Sequence, residues 1–328
     1  MNKKLSLVKS TLVKNFLALS TLQVVNLILP FLTLPYLTRV LGISNYGVVV
    51  MVYSVMQFLL VICDYGFNLS ATKDVSLNRN DKKEINIIFS SVLTIKFFLI
   101  FISFLILFLL TNFVEAMFEH KNVYLLGFGI VAGQSLSLTW LFQGMEKMKY
   151  MTIVNLISKL TCTLLIFILI KKPNHYIYVP LLYSIGFMSG GLLSLWIAFK
   201  QFDVTFYLIK KEKIIQHFKV SSQYFFSRLS VSFYTTSNNF IVGIIFGEFY
   251  AGIFGVAEKL YSAITIIYMP ISDAIYPLMV KTKNIRLFNK IFLGAFLLNL
   301  FICLFTFIFS EEIIILVFGL EYIQASSL

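Results

Sequence analysis

Ionisable side chains interrupt long apolar runs of this sequence, and two of them are conspicuous. Lys96 lies about ten residues into its run, or roughly 15 Å at 1.5 Å per residue. Arg228 heads a polar stripe at helical spacing, formed by Ser232, Thr235 and Asn239. A charge at bilayer depth costs at least about 2.5–3.5 kcal/mol, so each is a functional hypothesis. Because Arg binds phosphate bidentately and Lys supplies a point charge, these residues favour an anionic substrate.

Further polar residues complete a predicted substrate site. Lys259 and Arg39 are additional cations, although Arg39 would also serve as an interfacial anchor at the end of the first apolar run. Asn239 belongs to the Arg228 stripe. The position equivalent to Arg228 in the repeat described below is Gln23, and Asn26 follows one turn later.

Acidic residues in or near the apolar runs are candidates for coupling transport to an ion. Asp64 and Asp273 lie near run ends, where each could titrate or simply pair with loop lysines. Glu258 precedes Lys259 directly, so the two point about 100° apart on a helix and only one is expected to enter a cavity. Lys159 lies nearer a run end and is expected to extend its amine to the membrane surface.

The composition indicates an integral membrane protein. Of 328 residues, 59% are apolar and 13% are charged, against about 25% charged in a soluble domain. This excludes a soluble enzyme, a disordered tail and a disulfide scaffold. Cys63, Cys162 and Cys303 each lie in apolar sequence without a CxxC pair, so they indicate packing.

Hydropathy predicts an all-α polytopic bundle, because a spanning helix needs about 20 apolar residues. Nine spans are predicted: 15–37, 47–70, 86–111, 122–144, 153–170, 177–199, 221–246, 251–278 and 291–309. The apolar tail from Ile313 to Ile323 is too short to span, and we expect it to lie at the periplasmic side.

The distribution of Lys and Arg predicts the orientation. With a cytoplasmic N-terminus, 19 of the 27 fall in cytoplasmic segments, 4 in outer loops and 4 within spans. This bias accounts for the net charge of +12 without nucleic acid as a partner. Residues 1–14, with lysines between apolar positions, are predicted to form an interfacial helix on an anionic leaflet.

Three landmarks recur at an offset of 205 residues and predict an internal repeat. Lys14 matches Lys219, Gly42 matches Gly247, and Gly47 matches Gly252. The repeat divides the chain into an N-lobe of six spans (15–199), a cytoplasmic linker (200–220) and an incomplete C-lobe of three spans with its tail (221–328). Two halves with the same orientation are typical of transporters with a midplane site.

Motifs for catalysis are absent from the sequence. There is no GxxxxGK[ST], HExxH or GxSxG. The three histidines, His120, His175 and His217, are all in loops, and the topology places two opposite the third. We therefore predict a protein that is not an enzyme and needs neither a cofactor nor a metal.

Four segments together resemble the O-antigen flippases, Wzx-like polysaccharide transporters of the superfamily that includes the MATE exporters. They are PFLTLPYLTRVLG (30–42) followed by Tyr46-Gly47, DYGFNLSATK (64–73), WLFQGMEKMK (140–149) and AEKL (257–260). The resemblance implies a two-lobed bundle of twelve helices in the bacterial inner membrane, three more than predicted here.

The same resemblance implies a function. Such proteins carry undecaprenyl-pyrophosphate-linked oligosaccharides across the membrane, among membrane lipids and alongside a polysaccharide polymerase and a chain-length regulator. Two alternatives stay open. A drug/cation antiporter of the same fold would place acids rather than bases deep in the core. A membrane-embedded polysaccharide polymerase would need a large outer loop.

Overall fold

The first half of the chain folds into long apolar helices joined by short loops. The computed structural model describes residues 21–23, 26, 28–266 and 285–328. The helices of the first half are α1 (Thr21–Leu41), α2 (Ile43–Asp64), α3 (Phe67–Leu77), α4 (Lys82–Phe113), α5 (Glu115–Phe118), α6 (Lys121–Ser135), α7 (Thr139–Gly144), α8 (Met148–Leu169) and α9 (Val179–Gln201), with a 3-10 turn at Pro173–Tyr178.

The second half continues with bent and shorter helices. They are α10 (Lys211–Thr236), α11 (Asn238–Phe246), α12 (Glu248–Ile266), α13 (Ile285–Ile308) and α14 (Ser310–Val317), followed by a 3-10 segment at Leu320–Ser327. Every regular element in the described ranges is therefore helical, which confirms the predicted all-α class.

Length and composition confirm a polytopic membrane bundle. Within the described residues, six helical segments are long and apolar enough to span a membrane, and eight if each bent pair is one span. The bent pairs are α10 with α11, at 44°, and α13 with α14, at 74°. The end of the predicted eighth span, 251–278, lies outside the described residues, as does the interfacial helix predicted for residues 1–14.

One predicted boundary needs correction. Residues 200–220 are predicted to be linker, but α10 begins at Lys211, so the seventh span has a helical extension before it. The predicted span 47–70 lies within one candidate span, Ile43–Leu77, in which a turn at Tyr65 and Gly66 separates α2 from α3; both residues are left-handed, with φ of 46° and 79°. A Cβ on Gly66 would also lie 2.7 Å from the Cβ of Tyr224 on α10, so glycine permits both the turn and the close approach.

The loops gather on two faces of the bundle. On the face that carries most of the basic loops, called here the basic face, Arg79 pairs with Glu146 at 2.7 Å and Lys82 with Asp203 at 3.2 Å. On the opposite face, the Tyr36 hydroxyl donates to the Ile170 carbonyl at 2.5 Å.

The helices α2 and α12 cross through a contact that is reciprocal under the 205-residue offset. A Cβ on Gly47 would lie 1.9 Å from the Glu248 carbonyl oxygen, and one on Gly252 would lie 2.4 Å from that of Ile43. Residue 43 matches 248 just as 47 matches 252. Gly42 and Gly247, which precede the two helices, also share one conformation, with φ of 74° and 89° and ψ of 172° and 174°. These features support the internal repeat.

Aromatic side chains divide between the core and the lipid-facing surface. Trp140, Phe67 and Phe89 are fully buried. On α4, by contrast, Phe98 and Phe101 stay about 60% exposed. Such exposure of large apolar side chains is expected where acyl chains replace water as the solvent.

Candidate functional site

A polar cavity lies between the first half of the chain and α10. Its volume is about 390 Å³. We call it the Asp64 cavity, because Asp64, Lys96 and Arg228 line it together with amide and hydroxyl side chains. The sequence singled out all three residues, and the structure brings them to one place.

Asp64 lies between the two cations. Its carboxylate oxygens are 3.9 Å from Lys96 Nζ and 3.4 Å from Arg228 Nη1. Lys96 is only 2% exposed and also donates to the Ser135 carbonyl at 3.0 Å. Of the two readings left open for Asp64, pairing with loop lysines is not what the structure shows, because its partners are Lys96 and Arg228. The carboxylate compensates one of the two positive charges and leaves a net charge of about +1.

Three helices position these groups. Asp64 is the last residue of α2, and the left-handed Tyr65 caps that end by donating its N–H to the Val61 carbonyl. Lys96 lies on the middle turns of α4, whose N-terminus Asp81 caps through bonds to two backbone N–H groups at 3.0 and 3.1 Å. Arg228 lies on α10, one turn before Ser232, which also lines the cavity.

Two amide donors have no partner in the described structure. The Nε2 atoms of Gln57 and Gln134 are buried without a hydrogen bond to protein, and both residues line the Asp64 cavity. A buried polar group without a partner costs about 1–3 kcal/mol. These amides are therefore available to the oxygens of a ligand.

A second cavity of about 250 Å³ lies towards the opposite face, and we call it the Glu258 cavity. Asn239 donates to the Glu258 carboxylate, and Lys259 Nζ lies 5.4 Å from the centre of the Tyr53 ring. All four residues line this cavity. The expectation that only one of Glu258 and Lys259 enters a cavity was wrong, since a cavity of this width accepts side chains that leave α12 in different directions.

The two cavities are adjacent. Gln57, Phe187 and Thr236 line both of them. The polar stripe predicted from Arg228 onwards therefore passes from one cavity to the other along α10 and α11. The two cavities therefore adjoin in the interior of the bundle, and the Glu258 cavity is the more apolar of the two.

The remaining candidates lie elsewhere. Lys159 does not reach for the membrane surface: its Nζ donates to Asn26 Oδ1 at 2.6 Å, and Lys159 lines the Glu258 cavity. Gln23 and Asn26 do not line either cavity themselves. Arg39 donates to the Leu316 carbonyl at 2.5 Å and so joins α1 to α14 outside both cavities. Asp273 lies outside the described residues.

Sequence reasoning missed several cavity residues. Gln57 and Asn68 line the Asp64 cavity with Asp64, and Asn155 reaches it from α8. A partial signal was present, since Gln57 and Asp64 are seven residues apart and share one face of α2, whereas Asn68 follows the turn at Tyr65 and Gly66 and lies on α3.

One histidine also has partners that the sequence did not indicate. His120 Nε2 contacts the Glu248 carboxylate, although the two residues are 128 positions apart. Glu119 adds a further carboxylate beside this pair. The contact joins the loop before α6 to the start of α12 on the opposite face.

A bundle of apolar helices with a charged interior defines this chain as a multi-pass membrane protein. Comparison with known proteins identifies its family: residues 12–283 match the family described as polysaccharide biosynthesis protein. The chain belongs to that family, which confirms the resemblance indicated by the four sequence segments.

Two relatives refine the comparison. The chain is 30% identical over 258 residues to a protein of Shigella dysenteriae described as an O-antigen transporter. The aligned region covers 77% of this chain and 64% of the relative. The chain is 27% identical over 244 residues to one of Escherichia coli K12 with the same description, at 74% and 59% coverage. The matches thus span less than two thirds of either relative. No solved structure matches the chain.

Proposed function

We propose that this protein translocates oligosaccharides linked to a polyprenyl diphosphate, the O-antigen or capsule repeat units, across the bacterial inner membrane. It does so by alternating access between the two halves of the bundle. The N-terminus and the basic face lie in the cytoplasm, in keeping with the bias of Lys and Arg. The translocated unit is then free for a polysaccharide polymerase and its chain-length regulator. The relatives described as O-antigen transporters support this substrate class.

The observation that carries the proposal is the charge cluster of the Asp64 cavity, in which Lys96 and Asp64 are buried and Arg228 is half exposed. A diphosphate diester has two negative charges, and Lys96 and Arg228 supply two positive ones. Preorganised charges in a site of low dielectric constant stabilise an anion more than the same charges in water. The free amides of Gln57 and Gln134 suit the hydroxyls and oxygens of the same ligand.

Asp64 stabilises the site when no substrate is bound. Without substrate, its carboxylate compensates part of the charge of Lys96 and Arg228, at 3.9 and 3.4 Å. When a diphosphate takes over both cations, an ionised Asp64 would leave one uncompensated negative charge. A coupling cation bound beside Asp64 would offset that charge, so we propose Asp64 as the ion-coupling residue of this mechanism. Asp273 and Glu258 remain the other candidates.

Alternating access requires contacts between the halves that break in turn at each face. At the basic face, the Tyr65 ring stacks on Phe218 and Phe225, with centroids 4.3 and 4.7 Å away, and Ser70 bonds Ser221 at 2.7 Å. At the opposite face, α12 contacts α2 through the reciprocal glycines. The two sets of contacts lie on either side of the cavities and are the natural gates.

The test replaces the cations in the intact gene product, in a strain whose surface polysaccharide depends on it. At matched membrane abundance, Lys96→Gln and Arg228→Ala should lower export, and Arg228→Lys should recover part of it because the charge remains. Lys82→Gln is the matched control, since Lys82 lies on the same helix as Lys96 but is exposed and pairs with Asp203. Export by Lys96→Gln at the level of the parent protein would contradict the proposal.

A drug/cation antiporter is the main alternative, and the structure gives it less support. Such a protein needs an acid that is free to bind an organic cation. Among the described residues of the two cavities, Asp64 is engaged by two cations and Glu258 by Asn239. If deletion of the gene changed drug sensitivity and left surface polysaccharide normal, the antiporter would be the better assignment.

A further inference from the structure

A cluster of side chains with the donor atoms for a metal ion lies outside the proposed transport route. Glu119, His120 and Glu248 each offer one donor atom, and these atoms lie within 4.8 Å of one another. Within the described residues, this is the one group of three His, Cys, Asp or Glu that approaches so closely. None of the three lines either cavity.

We propose that Glu119, His120 and Glu248 bind a divalent transition-metal ion, of the class of Zn²⁺, that joins the two halves of the protein at the opposite face. Glu119 and His120 come from the loop between α5 and α6, whereas Glu248 begins α12. The ion would therefore connect segments that alternating access has to separate. Binding of the ion does not depend on the diphosphate site, whereas its effect on alternating access rests on the transport function proposed above.

The donor set selects the class of ion. One imidazole nitrogen with two carboxylate oxygens suits Zn²⁺ and its first-row neighbours, whereas Ca²⁺ and Mg²⁺ prefer oxygen ligands alone. A tetrahedral ion with bonds of about 2.0–2.1 Å holds its ligands about 3.4 Å apart. The His120 and Glu248 donor atoms, already in contact, would move apart slightly, whereas any pair at the 4.8 Å limit would approach by about 1.4 Å. Side-chain rotation provides such shifts, and water would complete the fourth position.

The residues around His120 and Glu248 favour a bound metal ion over a simple contact between these two side chains. The Tyr176 ring lies edge-on to His120, with centroids 6.0 Å apart, and its hydroxyl is within electrostatic range of both glutamates. The buried hydroxyl of Tyr124, without a partner in the described structure, is within range of Glu248 as well. Both hydroxyls are neutral, so neither of them compensates the charge of the carboxylates, and the exposed Glu119 is left to water or to an ion.

The nearest lysine in the sequence is engaged elsewhere, and access is open. Lys121 Nζ donates to Asn112 Oδ1 at 2.7 Å and lies over the Phe108 ring. The Glu119 side chain is exposed, and those of His120 and Glu248 are 13% and 33% exposed. An ion in solution can therefore reach all three ligands without unfolding of the loop.

Binding would favour the conformation in which the two segments touch. An ion that binds only this conformation shifts its population by a factor of about 1 + [ion]/Kd, or about 100-fold at 100 times Kd. The site thus acts as a reversible clamp on the opposite face. On the proposed orientation, that clamp faces the periplasm.

The test uses the purified chain in detergent, carrying an affinity tag without histidine, and a chromophoric chelator that competes for Zn²⁺. We expect the parent to retain one Zn²⁺ per chain in excess Mg²⁺. Replacing a ligand, in His120→Gln or Glu248→Gln, should weaken binding at least about 100-fold, since even outer-shell changes cost 10–100-fold.

Two histidines serve as matched controls. His175 lies on the same face and bonds the Leu169 carbonyl at 2.8 Å, and His217 lies on the basic face 3.4 Å from Asp74. His175→Gln and His217→Gln should bind Zn²⁺ like the parent. Zn²⁺ should also raise the melting temperature of the parent and of both controls, but not of His120→Gln.

Two results would overturn the metal site. One is a parent protein that retains no Zn²⁺. The other is a monodisperse His120→Gln protein whose affinity equals that of the parent. For variants that elute as aggregates, X-ray absorption of Zn²⁺ bound to the parent decides the question, because the site requires an imidazole in the first coordination shell. None of these readouts depends on polysaccharide export.

Discussion

The buried pair of Asp64 and Lys96, with Arg228 beside it, allows a quantitative prediction about stability. At 3.9 Å and an effective dielectric constant of about 20, the attraction between Asp64 and Lys96 is about 4 kcal/mol. Arg228 is 49% exposed, so its attraction to Asp64 is screened to about 1 kcal/mol. Asp64→Asn leaves Lys96 uncompensated and should therefore destabilise the protein by about 3–5 kcal/mol.

The double variant that combines Asp64→Asn with Lys96→Met separates the interaction energy between the two side chains from the cost of losing either one. Lys96→Met removes the charge that Asp64→Asn leaves unpaired, so the double variant should be more stable than the sum of the two single losses by about 2–4 kcal/mol. In melting temperature, Asp64→Asn should lose roughly 5–10 °C, and the second substitution should restore part of that loss.

The chain contains its own reporter for this assay. Cys63 and Cys162 are free and buried, whereas Cys303 is exposed. In a Cys303→Ser background, a dye that fluoresces on reaction with thiols therefore reports unfolding as the sample is heated in detergent. The signal then comes from the bundle interior that contains the charge cluster.

A second ion pair, whose lysine also lies on α4, provides the control. Lys82 and Asp203 are 3.2 Å apart, but their side chains are 64% and 77% exposed. Lys82→Met and Asp203→Asn should change stability by less than about 1 kcal/mol and show little coupling. The reasoning fails if Asp64→Asn melts with the parent protein, or if the double variant loses as much as the two single variants combined.

Three further predictions concern the fold and its gates. Gly47→Ala should reduce the amount of folded protein, because its Cβ would overlap a backbone carbonyl at 1.9 Å, whereas Gly294→Ala, which meets nothing within 4 Å, should be neutral by size-exclusion profile. Reporter fusions after Gln216 should signal cytoplasm and fusions after Asn174 periplasm, and a periplasmic signal at Gln216 would refute the two-half topology. Tyr65→Ala removes the stack of Tyr65 on Phe218 and Phe225 at the basic face, and it should increase chemical labelling of residues in the Asp64 cavity by a reagent added from that face. Unchanged labelling would show that the stack is not a gate.

The sequence predicts which residues matter better than it predicts how they pair. Lys96 and Arg228 were detected because a charge within an apolar run is conspicuous and costly. Their relation to Asp64 was not, since the three residues come from α2, α4 and α10, and hydropathy contains no information about contacts between helices. A cation in a span therefore reveals its depth but not its counter-ion.

The helix boundaries were also predicted only in part. The spans follow from apolar composition, which the bilayer requires, and among the described residues six helical segments meet that requirement, or eight if each bent pair is one span. The break at Gly66 was missed because apolar residues continue on both sides of it, and the positive φ that ends α2 leaves no trace in hydropathy. The start of α10 at Lys211 was missed for the opposite reason: lysines were read as linker, although charged residues form a helix as readily as a loop.

The reciprocal contact between α2 and α12 has a consequence for biosynthesis. Its two sides are made 205 residues apart, which at about 5–20 residues per second is a delay of roughly 10–40 s. During that interval the glycine face of α2 has no partner within its own chain. Because the contact is self-complementary, two nascent first halves can pair through the same face, as in a twofold dimer. Completion of α12 within one chain therefore competes with association between chains, and the outcome depends on how densely ribosomes are spaced along the message.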